Sequence, residues 1–274
     1  MKVGYTEFSY GYAFTENLIR SHPTGATGAP VFPNLVQEAK LGYDVQIQLP
    51  AVPLFFQFKL PDRMKKGTAF ELSTGSCPGL TTPFYRIGLM RNDLSKQHAH
   101  LIELEKKHPT CVFYAASCLA DVHAFNSSYG LGRVFQDTAF FSPGDIGPLP
   151  DNKQHTIAYR SDLGHAFFCS DPREVRRTTF DDVQQKIGAL LQQKQYSDAR
   201  EISRTTRNQV VDLASSSSQR QAAGLADRIR VRVRAAMPTA AINTEQEETL
   251  TNLLVARDIA RIDLGIELLI AQPG

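Results

Sequence analysis

The sequence predicts a mixed α/β fold, in which helices flank a mixed sheet, followed by a helical C-terminal region. Residues 45–60 hold an alternating apolar–polar stretch and then a largely apolar run, and both patterns are typical of strands. From about residue 179 to 271 the chain is rich in Gln, Ala, Leu and Arg and almost free of Pro, which favours helices. We therefore expect an α/β domain over residues 1–175 and a helical region over residues 176–274.

The first elements follow from capping residues and periodicity. A helix is expected over residues 6–20, because Thr6 can cap it and Glu7 places a negative charge in its first turn. A segment rich in Pro and Gly ends this helix. Strands are expected at residues 43–49 and 54–60, and the short Pro-containing turn between them predicts an antiparallel hairpin.

Later elements alternate between helix and short strands. Ser95 is expected to cap a helix that ends near Pro109, with leucines on one face and charged residues on the other. Residues 215–218, four serines, predict a break between C-terminal helices. The remaining strands are expected at residues 83–90, 111–116, 139–142, 155–160 and 165–169.

Composition excludes several classes of protein. The 274 residues are 42% hydrophobic and carry 30 basic against 28 acidic residues, so a disordered chain is excluded. A net charge of +2 gives no overall field that would attract nucleic acid or a membrane. Four scattered cysteines without a CxxC pair indicate reduced thiols, and neither a membrane span nor an apolar leader is evident. We expect a cytoplasmic protein with no membrane partner.

Three polar residues stand out on the predicted hairpin. Gln57 and Lys59 share one face of a strand that is otherwise apolar, and Asp44 would project beside them from the preceding strand. Asp44 and Gln57 offer the oxygen ligands that Mg²⁺ or Mn²⁺ takes in proteins, and such an ion lowers the pKa of a bound water. Lys59 can orient that water or stabilise developing negative charge. The trio predicts a site for metal-assisted phosphodiester cleavage.

Asp44 followed by Gln57-Phe58-Lys59 resembles the core motif of the PD-(D/E)xK restriction-endonuclease-like superfamily, in the Gln-x-Lys variant of its Mrr-like branch. The predicted order of helix, Asp strand, Gln-x-Lys strand, helix and strand is similar as well, over about residues 5–120. The resemblance implies a restriction-endonuclease-like fold and a Mg²⁺- or Mn²⁺-dependent DNA endonuclease serving in restriction or antiviral defence. Three departures are the amide at the acidic position of the motif, Tyr43 in place of the proline before Asp44, and the long segment between Lys59 and the next predicted helix.

The resemblance also implies a carboxylate from the first helix, for which both Glu7 and Glu16 remain candidates. Alternatives stay open for the other residues. Gln57 and Lys59 also suit the polar face of an edge strand, where a lysine opposes aggregation. Asp44 also suits the start of a strand after a turn. The corresponding alternative function is a non-catalytic subunit that keeps the nuclease fold and binds protein or nucleic acid.

The C-terminal region carries an arginine-rich segment, in which four arginines alternate with Ile and Val. As a strand it would present all four guanidinium groups on one face, and as a helix it would form a basic surface suited to DNA or RNA. Pairing with nearby acids such as the run at residues 245–248 is the third interpretation. The four residues are Arg228, Arg230, Arg232 and Arg234.

The end of the chain predicts a partner surface. Apolar residues at helical spacing suggest a two-helix element that joins a partner subunit or a second copy of the chain. The residues concerned are Leu250, Leu253, Leu254, Ile259, Ile262, Ile266 and Leu269.

Overall fold

The structure, a computed structural model, describes residues 2–21, 50–236 and 244–272. These residues form two compact units. The described part of unit 1 comprises residues 2–21 and 56–184, and that of unit 2 comprises 50–55, 185–236 and 244–272. The division differs from the contiguous one expected at residue 175, because residues before β1 and the first half of that strand belong with the C-terminal helices.

The chain is mixed α/β. In its first half the elements are α1 (Glu7–Arg20), β1 (Val52–Lys59), β2 (Asp62–Met64), α2 (Phe70–Ser73), β3 (Phe84–Leu89), α3 (Gln97–Lys107), β4 (Val112–Ser117) and α4 (Val122–Gly130). In its second half they are β5 (Thr138–Phe141), α5 (Pro143–Ile146), β6 (His155–Tyr159), β7 (His165–Phe168), β8 (Arg173–Arg176), α6 (Phe180–Leu191), α7 (Ala199–Leu213), α8 (Ser216–Ala236), α9 (Thr244–Ile259) and β9 (Glu267–Ala271).

Two sheets organise the strands. The larger has the order β2-β3-β6-β7-β8, and each neighbouring pair in it is antiparallel. The smaller has the order β5-β4-β1-β9, and its β4–β5 pair is antiparallel from Tyr114↔Phe141 to Ser117↔Thr138. Strand β1 lies inside this sheet, so Gln57 and Lys59 do not belong to an edge strand.

Helix α1 begins as its sequence predicts and packs on β1. Thr6 caps it, since its side chain accepts a hydrogen bond from the Ser9 amide at 3.0 Å. Its buried face meets an aromatic cluster in which ring centroids lie 5.2–6.4 Å apart, the range of edge-to-face and offset contacts. The members are Tyr10, Phe14, Phe56, Phe58, Phe113 and Phe140. This cluster is the core of unit 1 around β1.

Unit 2 is built mainly from α7, α8 and α9. Arg200 near the start of α7 pairs with Glu248 in α9, and Ser215 just beyond α7 reaches Asp263 just beyond α9 at 3.4 Å, so these two helices run parallel. Helix α8 follows α7 in the chain and packs mainly on α9, and the break before it lies at residues 214–215, at the start of the four-serine segment. Its buried stripe follows helical spacing and consists of Ala222, Ala226, Ile229 and Val233.

Several sequence expectations need correction. Residues 267–271 form strand β9 where a helical face was expected, because Gly265 adopts a left-handed conformation (φ 64°) that ends the preceding π-helical turn. Ile262 is exposed, whereas Leu250, Leu253 and Ile259 are buried within the chain itself. The apolar face expected to join a second copy is therefore largely covered already.

Other boundaries fall close to their expected places. Ser95 accepts a hydrogen bond from the Gln97 amide at 3.1 Å, although the residue in the capping position is Lys96. Helix α4 and strand β8 were not expected from periodicity. The expected strand at residues 43–49, and with it the expected hairpin, lies outside the described residues. Across the described parts of the chain, every helix is too short or too polar to cross a bilayer.

Candidate functional site

The position of α1 against β1 decides which way Gln57 and Lys59 point. Phe56 and Phe58 face the helix, and the Phe14 ring lies 5.3 and 5.2 Å from their centroids. Gly11 permits this approach, since a Cβ built there would lie 2.8 Å from the Phe58 ring. Because side chains alternate along a strand, Gln57 and Lys59 project together from the opposite face. The structure thus confirms the shared face that their spacing predicts.

Gln57 carries a buried oxygen that lacks a hydrogen bond. The residue is 4% exposed, and its Nε2 donates to the Phe58 carbonyl at 3.3 Å. Its Oε1 has no hydrogen-bond partner among the described residues. Leaving a buried acceptor unpaired costs about 1–3 kcal/mol, and such atoms in folded proteins often face a water or an ion. The Gln57 oxygen therefore has the chemistry of a ligand for a hard cation.

Lys59 and Glu7 interact through their charges. Burial lowers the pKa of the Lys59 ammonium, and the nearby Glu7 carboxylate opposes that shift. Burial likewise raises the pKa of the Glu7 carboxyl, against the effects of Lys59 and of a hydrogen bond that the carboxylate accepts from the Leu60 backbone. The first turn of α1 thus brings one acid to the lysine at the end of β1.

Glu16 belongs to a different environment. On an ideal helix, nine residues correspond to about 13.5 Å along the axis and a half-turn in phase, so Glu7 and Glu16 lie on opposite faces. Glu16 is buried, forms an ion pair with Arg20, and accepts a hydrogen bond from Asn17 at 3.1 Å. Asn17 in turn donates to the Tyr129 carbonyl at 3.3 Å. Of the two candidate acids, Glu7 is therefore the one whose charge acts on Lys59.

Asp44, the third member of the predicted trio, lies outside the described residues. Its convergence with Gln57 and Lys59 therefore stays a prediction. Within the described ranges, no group of three or more His, Cys, Asp or Glu side chains is arranged to hold a metal ion. The described residues offer a hard cation the Gln57 Oε1 atom, and Asp44 would have to supply the carboxylate that Mg²⁺ prefers.

Three tyrosines clamp the chain where β4 ends. Tyr159 donates to the Ser117 carbonyl at 2.6 Å, and Tyr85 donates to the Cys118 carbonyl at 2.6 Å. Tyr5 donates to the next carbonyl, that of Leu119, at 3.0 Å. Three successive carbonyls are thus held from β6, from β3 and from the segment before α1.

Burial keeps these hydroxyls protonated. It raises the pKa of Tyr85 to about 12, and it raises the pKa values of Tyr5 and Tyr159 as well. The tyrosines come from distant parts of the chain, so no local pattern indicated that they would meet.

The arginine-rich segment lies within helix α8, so the strand interpretation is wrong. Arg230 lies 3.0 Å from Asp227 and 3.5 Å from Glu247, and Arg234 lies 2.8 Å from Glu247. Arg228 and Arg232 lie on the same helix. For Arg230 and Arg234 the structure thus shows pairing with nearby acids, one of them in the 245–248 run.

Comparison of the chain with protein-family models, with curated proteins and with solved structures found no match. The functional argument therefore rests on the residues of the site.

Proposed function

We propose that this protein is a metal-dependent DNA endonuclease with a restriction-endonuclease-like core in unit 1, acting in the cytoplasm in restriction or antiviral defence. One observation carries the proposal. The buried Oε1 of Gln57, which has no hydrogen-bond partner in the part of the chain that the structure describes, shares a strand face with a partly desolvated lysine, in the Gln-x-Lys spacing that resembles the PD-(D/E)xK superfamily. Strained, unpaired or desolvated polar groups of this kind concentrate at functional sites.

The fold supports the same proposal. Helix α1 packs on the Gln-x-Lys strand, and after the intervening β2, α2 and β3 come helix α3 and the buried strand β4, the helix and strand that the superfamily resemblance implies. Strand β4 lies next to β1 in the sheet. The strand that would bear Asp44 is the part of this arrangement that lies outside the described residues.

The residues of the proposed site would have three roles: metal binding, charge stabilisation and support of the lysine charge. Gln57 and Asp44 would hold Mg²⁺ or Mn²⁺, which when bound polarises a phosphodiester and lowers the pKa of a water. Lys59, in its protonated form, stabilises negative charge that develops on the phosphate. Glu7 keeps Lys59 charged despite its burial, because its carboxylate raises the lysine pKa. Glu7 is thus a positioning residue.

A non-catalytic subunit with the same fold is the second candidate function. The observation that favours it is the neutral amide at position 57, since an amide binds a cation more weakly than a carboxylate. Such a subunit would bind DNA, RNA or a partner protein without cutting. The same cleavage assay separates the two candidates.

The test incubates full-length protein with supercoiled plasmid and Mg²⁺ or Mn²⁺. The variants are Asp44→Ala, Gln57→Leu and Lys59→Ala, and the matched control is Lys106→Ala, an exposed lysine paired with Glu103. We expect wild type and Lys106→Ala to cut equally, and Lys59→Ala to cut about 10²–10⁴-fold more slowly, the usual range for one proton-transferring or charge-stabilising group.

Two results would overturn the proposal. If Lys59→Ala cuts as fast as the control, the activity lies elsewhere. If wild type leaves plasmid, linear duplex and single-stranded DNA intact with either ion, the non-catalytic candidate stands. Mn²⁺ binding, followed by electron paramagnetic resonance, gives an independent readout, because Gln57→Leu should weaken it.

A further inference from the structure

A polar depression lies on helix α4, beyond the clamped end of β4. Its volume is about 320 Å³, and the α4 residues that line it follow one face of the helix. The lining residues are Leu119, His123, Ala124, Ser127, Ser128, Leu131, Arg133 and Asp137. Leu119, at its edge, is the residue whose carbonyl Tyr5 holds.

The depression presents basic and hydroxyl groups to solvent. Arg133 and His123 are exposed. Across residues 2–21, 50–236 and 244–272, Arg133 has no acidic side chain at ion-pair distance. This contrasts with exposed arginines elsewhere in unit 1, such as Arg91, which pairs with Asp93 at 2.5 Å. A guanidinium beside the exposed Ser127 hydroxyl is suited to a phosphate oxygen.

Asp137 narrows the choice of ligand. Its Oδ2 accepts a hydrogen bond from Ser128 at 2.7 Å, and its carboxylate lines the same depression. A carboxylate disfavours a free phosphate dianion more than a phosphodiester, which carries a single charge. Asp137 also offers an acceptor for amino groups on bases. Together these groups favour a nucleic-acid backbone over inorganic phosphate.

The depression is linked to the candidate active site through Tyr5. This residue precedes Glu7 by two positions, and its ring stacks on Phe125 of α4 with centroids 4.4 Å apart. Its hydroxyl also lies 2.7 Å from Ser117 Oγ. Two residues of extended chain span at most about 7 Å, so α4 lies beside the start of α1, where Glu7 meets Lys59.

We propose that the depression on α4 holds a backbone phosphate of the DNA substrate, flanking the phosphate that is cut, with Arg133 as its main ligand and His123 as a second contact. The proposal rests on the proposed function, because that function supplies the DNA. The hydrogen bond from Tyr5 holds the Leu119 edge of the depression near the start of α1.

The test measures DNA binding separately from cleavage. A fluorescent duplex of about 20 base pairs is titrated with full-length protein in EDTA, and anisotropy gives Kd at several salt concentrations. The variants are Arg133→Ala and His123→Ala, and the matched control is Arg91→Ala, which removes the same charge from an exposed site. We expect Arg133→Ala to raise Kd about five- to tenfold and to reduce the salt slope by about 0.9, as for one lost phosphate contact.

Each result of the binding experiment either supports or overturns the phosphate site on α4. If Arg133→Ala and Arg91→Ala change Kd equally, or if wild type does not bind the duplex, the phosphate site is overturned. If binding follows Arg133 but no DNA is cut, the phosphate site stands and the endonuclease proposal fails. If titration with inorganic phosphate shows binding that depends on Arg133 while DNA binding does not, the depression takes free phosphate and the DNA assignment is overturned.

Discussion

The two units place their cationic side chains in opposite ways. In unit 1 Lys59 lies at the end of a strand inside its sheet. Desolvation lowers the pKa of Lys59, and the negative charge of Glu7 acts against this shift. In unit 2 Arg200 and Arg234 remain at the surface and pair directly with glutamates. A surface pair costs little and contributes little, whereas a buried cation costs free energy. Lys59 is thus the cation that is partly desolvated, whereas Arg200 and Arg234 are surface groups with direct partners.

The largest expected effect on the free energy of unfolding concerns the aromatic cluster around β1, the strand that ends at Lys59. Phe14→Ala should lower the free energy of unfolding by about 3–5 kcal/mol, because a large buried ring leaves a cavity among its aromatic neighbours. Val233→Ala in α8 should cost only about 1–2 kcal/mol, since it removes two methyl groups. Urea unfolding followed by circular dichroism measures both. Equal losses would show that the aromatic cluster is not the dominant core.

Next in size is the unpaired oxygen of Gln57. Gln57→Leu should raise the free energy of unfolding by about 1 kcal/mol, because it removes a buried acceptor that has no hydrogen-bond partner among the described residues, and it should weaken Mn²⁺ binding. The matched control is Thr138→Val, which removes a hydroxyl that donates to the Val134 carbonyl and meets Tyr10. That control should cost about 1–3 kcal/mol. Destabilisation by both substitutions would mean that the Gln57 oxygen has a structural partner.

A pH titration tests whether the partly buried Lys59 has a lowered pKa that depends on Glu7. The Lys59 pKa should lie below 10.5, and Glu7→Gln should lower it further, because the Glu7 charge raises it. The folded state then releases this proton before the unfolded chain does, so stability attributable to Lys59 should increase as pH rises through the folded pKa towards 10.5.

Nuclear magnetic resonance of ¹³C-labelled lysine gives the Lys59 pKa directly. Lys106, an exposed lysine on α3, serves as the internal reference, and its resonance should be the same in wild type and Glu7→Gln. An unchanged Lys59 titration in Glu7→Gln would remove Glu7 from the site.

The smallest expected effect lies in unit 2. Glu247→Gln removes the partner of Arg230 and Arg234 and should cost about 0.5–1 kcal/mol at low salt, as for exposed pairs. The loss should shrink in 1 M NaCl, where the Debye length is about 3 Å. Thermal unfolding at the two salt concentrations measures it. If Glu247→Gln lowers the free energy of unfolding as much as Phe14→Ala does, the arginine pairs of unit 2 are not weak surface pairs.

Local signals predicted local features well. The Thr6 cap, the interruption at residues 215–218 and the strand that carries Gln57 and Lys59 all depend on neighbours in sequence. Helix α4 was missed although Asp121 caps it, because its short run has no clear apolar period. Strand β9 was missed because five apolar residues at the end of a helix-rich region fit either period.

For the candidate site, the sequence by itself determined which residue types were available and that Gln57 and Lys59 share a face, since a strand has period two. Only the tertiary structure decided that the charge of Glu7 and not that of Glu16 acts on Lys59, and that the buried Gln57 oxygen has no hydrogen-bond partner within the described ranges. It alone joined Tyr5, Tyr85 and Tyr159 at the end of β4. The reason is physical: helix and strand periods act between near neighbours, whereas burial, pKa shifts and the meeting of distant side chains depend on how elements pack.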